Sequence, residues 1–70
     1  MRIRISEPAA LGDLQAYLRS AECAVETVSA DELEVSPANA PSAEQARREI
    51  EAYLRMWEAM NPPVRVTILD

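Results

Sequence analysis

The sequence contains no histidine, no lysine and no phenylalanine, a single glycine (Gly12) and a single cysteine (Cys23). Each absence removes a class of chemistry. One thiol cannot close an internal disulfide. Without histidine it also falls far short of the four Cys or His ligands of a structural zinc site. The commonest general base is missing, and Cys23 has no imidazole to activate it. A glycine-rich turn, in which backbone N–H groups approach a phosphate, cannot be built from Gly12 alone. A base-stacking RNA-recognition sheet needs aromatic residues on its middle strands. Here those strands offer Arg2, Arg4, Glu32 and Glu34. The net charge of −5 further opposes binding to a phosphate backbone. The reading is therefore no metal, no cofactor and no nucleic-acid partner.

Long apolar runs are absent too. None approaches the roughly 18 residues of a membrane span. The charged start, Met1 to Ile5, is not followed by the apolar stretch of a signal peptide. The expected location is the cytoplasm, with no membrane partner, and a lone unpaired cysteine agrees.

What is present suits a folded protein. Apolar residues make up 49% of the chain, and its seven basic residues are all arginine. Residues 1–70 are expected to form one domain. A chain of this length buries only roughly 60% of its unfolded surface. Such domains often lean on disulfides, a metal or a partner subunit. With the first two excluded, a protein partner is expected, most simply a second copy in a homodimer.

Arg2 to Ser6 alternates polar and apolar residues, as a half-buried strand does. Pro8 suits the first turn of a helix, with Ser6 or Glu7 as cap. Leu11, Leu14, Tyr17, Leu18 and Ala21 recur at helical spacing, placing helix one at about Pro8 to Ser20. Gly12 predicts a ragged first turn. Cys23–Val28 and Glu32–Ser36 read as two strands joined by the short Ser29-Ala30-Asp31 turn. Cys23, Val25 and Thr27 are placed inward so that Glu26 is not buried, with Val28 outward or curled into the hairpin. Pro37 to Pro41 reads as a loop. Ser42 and Gln45 form a capping box ahead of a helix whose apolar stripe is Ala46, Ile50, Tyr53, Leu54, Trp57 and Met60. The pairs Glu44–Arg48 and Glu51–Arg55 support it at i,i+4. Asn61-Pro62-Pro63 ends it, and Val64 to Ile68 alternates as a last strand.

This order, β-α-β-β-α-β, predicts an α+β chain with the ferredoxin-like split β-α-β fold. The antiparallel sheet would run 4-1-3-2, with both helices on one face. The open face then carries Arg2, Arg4 and Arg65 on strands one and four, beside Glu32, Glu34 and Glu26 on strands three and two. Two readings follow: a solvated face of cross-strand ion pairs, or a docking surface whose basic half meets the acidic half of a second copy.

Helix two raises a second candidate. About 18 residues at 1.5 Å each span roughly 27 Å, whereas strands of four to six residues cover only about 13–20 Å. Its C-terminal end should overhang the sheet. Ala52, Met56 and Ala59 widen the apolar arc there, next to Met60. Either Trp57 and Met60 fold down as core, or they remain exposed as an interface patch, where Trp, Tyr and Met are enriched.

The function expected is a non-catalytic protein-interaction module, a small self-associating subunit or adaptor. The alternative is a small-molecule-binding regulatory domain of the ACT-like kind, whose first strand–helix junction usually holds a glycine where this chain has Ser6-Glu7-Pro8. An enzyme with a carboxylate site comes third; nothing marks such a site. The identity of any small-molecule ligand is left open.

Overall fold

A computed structural model describes residues 1–37 and 41–69. Most of the loop expected over Pro37 to Pro41 lies outside the described residues. The elements are β1 (Arg2–Ile5), a 3-10 turn (Pro8–Ala10), α1 (Leu11–Ser20), β2 (Cys23–Thr27), β3 (Glu32–Pro37), α2 (Ala43–Met60) and β4 (Val66–Ile68). The four strands form one antiparallel sheet in the order β2-β3-β1-β4, as the connection rules predict.

Period-two alternation sets the register. Ile3 stands opposite Leu33 and Ile68, Ile5 opposite Val66, and Val25 opposite Val35. These residues line one face and share a single core with Leu14 and Leu18 of α1 and Ile50, Leu54 and Trp57 of α2. Both helices therefore cover the same side of the sheet. Trp57 is only 3% exposed, so it is folded down as core, whereas Met60 is 61% exposed. The overhang is real, but it begins after Trp57.

Several local expectations need correction. Helix one does not start as an α-helix at Pro8; Pro8–Ala10 is 3-10 and α1 begins at Leu11. No capping side chain holds the first turn. Glu7 makes no cap bond, and the Ser6 hydroxyl instead accepts from Arg65 N–H at 2.9 Å. β4 starts at Val66 rather than Val64. A cis Pro62-Pro63 bond lies in a turn closed by Val64 N–H donating to Asn61 C=O at 2.9 Å, so Val64 belongs to the turn. Thr27 is on the inward face as expected, opposite Leu33, yet is exposed. It ends an edge strand, where only Gln15 Nε2 reaches its hydroxyl, at 3.4 Å. Arg55 pairs with Glu58 at 2.6 Å, not with Glu51, which Arg47 takes at 3.4 Å.

The end of α1 supplies a stability prediction. Glu22 has φ = 66°, just past the C-cap Ala21, where glycine is favoured. A side chain in that region costs about 1–2 kcal/mol, against roughly 0.5–1 kcal/mol for the lost chain entropy of glycine. Glu22→Gly is expected to raise the urea midpoint, a gain of about 0.5–1 kcal/mol, with the slope of the transition unchanged.

Candidate interaction surfaces

On the open face the register sets Arg2 opposite Glu34 and Arg4 opposite Glu32. The pairing is carried through by the side chains. Arg4 Nη2 lies 2.9 Å from Glu32 Oε2, and Arg4 Nε is 3.8 Å from Asp31 Oδ2. Arg2 Nε is 3.4 Å from Glu34 Oε1, whose other oxygen accepts from the Met1 ammonium. The bond to Glu32 holds the Arg4 guanidinium above its ordinary value. Hydrogen bonding from the Met1 ammonium, aided by Arg2, holds Glu34 below its own. These are in-chain pairs whose arginines are about half exposed, the solvated arrangement of such a face.

Arg65 stands beside Ser6, donating its N–H to the Ser6 hydroxyl and accepting from the Ser6 N–H at its C=O. It precedes β4, and Thr67 is the residue opposite Arg4. Glu26 stands directly opposite Glu34, a like-charge pair.

The flank of α2 is different. Gln45 N–H donates to the Ser42 hydroxyl at 3.1 Å, which starts the helix as the sequence predicts. Ile50, Leu54 and Trp57 face the core. One side of the helix then presents Ala52, Met56, Ala59 and Met60, all exposed, Met56 by 59%. Two methionines one turn apart on a helix, both more than half exposed, form the largest exposed apolar side-chain pair among the described residues.

The side of α2 that carries Arg55 and Glu58 holds a charged clasp. Glu58 reaches down to the edge of the sheet. Its Oε2 accepts from Val66 N–H at 2.6 Å and its Oε1 from Arg55 Nη1 at 2.6 Å. Arg55 Nη1 also donates to Val66 C=O at 3.3 Å. The Glu58 side chain is only 10% exposed. Burial by itself would raise its carboxyl, but the bonds from Arg55 and Val66 and the charges of Arg55 and Arg65 outweigh it and hold the group below the usual carboxylate range. Beside this clasp lies an open groove of about 290 Å³ lined by Arg55, Glu58, Ala59, Pro62, Pro63, Val64 and Arg65. The available signal was the short Asn61-Pro62-Pro63 reversal, which brings β4 back alongside the last turns of α2.

Cys23 is buried, 7% exposed, and burial, followed by the charge of Glu49, pushes its thiol up. Cys23 packs in the core cluster with Val25 and Leu33. Among the described residues, no group of three His, Cys, Asp or Glu side chains is placed to hold a metal ion, and no helix is long and apolar enough to cross a membrane. No protein-family model matches the chain, and no match is found among curated proteins or solved structures.

Proposed function

We propose that the chain is a non-catalytic protein-interaction module, built on the ferredoxin-like split β-α-β arrangement, that self-associates through the apolar flank of α2. The strand order and the two helices on one face support the fold assignment. The observation that carries the function is the exposure of Met56 and Met60 on a helix whose opposite stripe already fills the core. Flexible, polarisable methionine is a frequent contact residue on binding surfaces.

A second copy suits this surface. In an antiparallel pair of α2 helices centred on Met56, positions four residues to either side face each other. Met60 of one copy then lies over Ala52 of the other, a long side chain against a short one. Arg2, Arg4, Glu32 and Glu34 of the open face are paired in-chain and would have to break those pairs to dock.

Sedimentation equilibrium tests the reading. The wild type should be heavier than one chain at high micromolar concentration. Met56→Glu places an unpaired charge in the contact and should weaken association by about tenfold or more, roughly 1.4 kcal/mol. Folding should be little changed, since Met56 is a surface position. A monomeric wild type, or a Met56→Glu variant as heavy as the wild type, removes the α2 contact.

A further inference from the structure

The two edges of the sheet differ. Hydrogen-bond parity shows which backbone groups each leaves outward. On β4, Arg65 C=O accepts from Ser6 N–H, and Leu69 N–H donates to Arg2 C=O. Odd positions therefore face β1, and Val66 faces out. Both of its outward groups are occupied, the N–H by Glu58 and the C=O by Arg55. β4 is also only three residues long. Short strands and covering side chains are how sheets block the addition of another strand.

β2 is guarded less. Val28 N–H donates to Glu32 C=O, so even positions face β3. Cys23, Val25 and Thr27 turn their N–H and C=O groups away from the sheet. The strand is five residues long, without proline and without an inward charge. Arg19 reaches this edge only weakly, with Nη2 3.5 Å from Val25 C=O.

We infer that a second copy of the chain adds antiparallel along β2, joining the two sheets into one. The register argues for a second copy as occupant. With the two-fold axis at Val25, all five residues pair. Val25 meets Val25 of the partner subunit, and Cys23 meets Thr27 of the partner subunit, through roughly six backbone hydrogen bonds. On the open face Ala24 then lies opposite Glu26 of the partner subunit, so no like charges meet. An axis at Glu26 sets that carboxylate against its own copy, beside Glu34. An axis at Ala24 sets Glu22 against Glu26 of the partner subunit. Axes at Cys23 or Thr27 lose half the pairing to turn residues.

The inference rests on the reading of the chain as a self-associating module, but on a different surface from α2, so the two contacts can fail separately. A chain using both builds assemblies larger than a pair.

The native cysteine supplies the test. In Thr27→Cys, the two thiols of one strand are four residues and roughly 13 Å apart, too far to bond. In the paired strands, Cys23 and the new cysteine of the partner subunit are opposite, at about 5.5 Å between Cα atoms, within disulfide range. Oxidised glutathione, taking up the two electrons, should convert most of Thr27→Cys to a covalent dimer on a non-reducing gel. Ala24→Cys and the double variant Cys23→Ser/Thr27→Cys should remain single chains. A second variant, Thr27→Pro, removes an outward N–H without touching the ladder to β3, and should weaken association by about tenfold while circular dichroism stays native.

The edge contact is overturned if Thr27→Cys cross-links no more than Ala24→Cys, or if Thr27→Pro associates like the wild type. Cross-linking that persists in Met56→Glu/Thr27→Cys upholds the edge independently of α2. A Met56→Glu effect on mass without Thr27→Cys cross-linking upholds α2 and rejects the edge.

Discussion

Trp57→Ala is expected to abolish cooperative folding at room temperature. The side chain is 3% exposed and sits in the one core that both helices share. Truncating a buried tryptophan costs about 3–5 kcal/mol, transfer and cavity together. At roughly 0.05–0.15 kcal/mol per residue, a chain of this length has only about 3.5–10 kcal/mol in total. Its small size puts it toward the lower end. The loss therefore consumes most of the stability. Met60, three residues on in the same stripe, gives the contrast. It is 61% exposed, so its truncation to alanine should change the stability by less than about 0.5 kcal/mol. Urea titrations of the two variants, followed by circular dichroism, check this. A Trp57→Ala variant with a native midpoint would show that the helix end is not anchored by the core.

The divergence of Trp57 and Met60 illustrates what could be read from the sequence. A 3.6-residue stripe identifies which side of a helix is apolar, and it correctly grouped Ile50, Leu54 and Trp57. It does not say where the sheet beneath ends. That depends on strand length and on the position of β4, which the Asn61-Pro62-Pro63 turn sets. The same turn explains Arg65. Alternation along Val64 to Ile68 placed it on the open face; the turn retains Val64, β4 starts at Val66, and Arg65, paired with Ser6, also lines the groove at the sheet edge. In contrast, β1 and β3 were legible because both are central strands, where a one-residue slip would bury arginines and glutamates. Thr27 keeps the inward face, opposite Leu33, but as the last residue of an edge strand it stays exposed; alternation gives the face of a residue, not the depth of its cover. Arg55 had carboxylates at both i−4 and i+3. Helical spacing alone does not choose between Glu51 and Glu58; the N–H and C=O of Val66, tertiary groups, do.

Glu58→Ala should cost about 1.5–3 kcal/mol at neutral pH, the range for a hydrogen bond to a charged group. Removing the carboxylate leaves Val66 N–H without its acceptor and Arg55 without its counter-ion. Arg55 is about half exposed, so most of the loss arises at the buried end, where solvent screens less. Glu58→Gln keeps an acceptor for Val66 N–H and removes the charge, and should cost less, about 1 kcal/mol. The pH dependence separates the charge from the packing. In the folded chain the Glu58 carboxyl lies below its ordinary value, which is about 4.3 for an unfolded glutamate. A depressed carboxylate contributes stability that is fully present above the unfolded value and is lost as pH falls through the folded one. The gap between wild type and Glu58→Gln should therefore be constant from neutral pH down to about pH 5, narrow below about pH 4.3 and close in stronger acid. Glu34 is also depressed and weakens both proteins in the same window, so the difference between them, not the wild-type curve alone, isolates Glu58. Urea midpoints at neutral pH, pH 5 and pH 3 give the answer; a gap that stays the same at all three would assign the role of Glu58 to shape rather than charge. The clasp is also what closes the β4 edge and leaves β2 as the edge open to a second chain. Glu58→Ala, where folded, should therefore gain association that Thr27→Pro does not suppress.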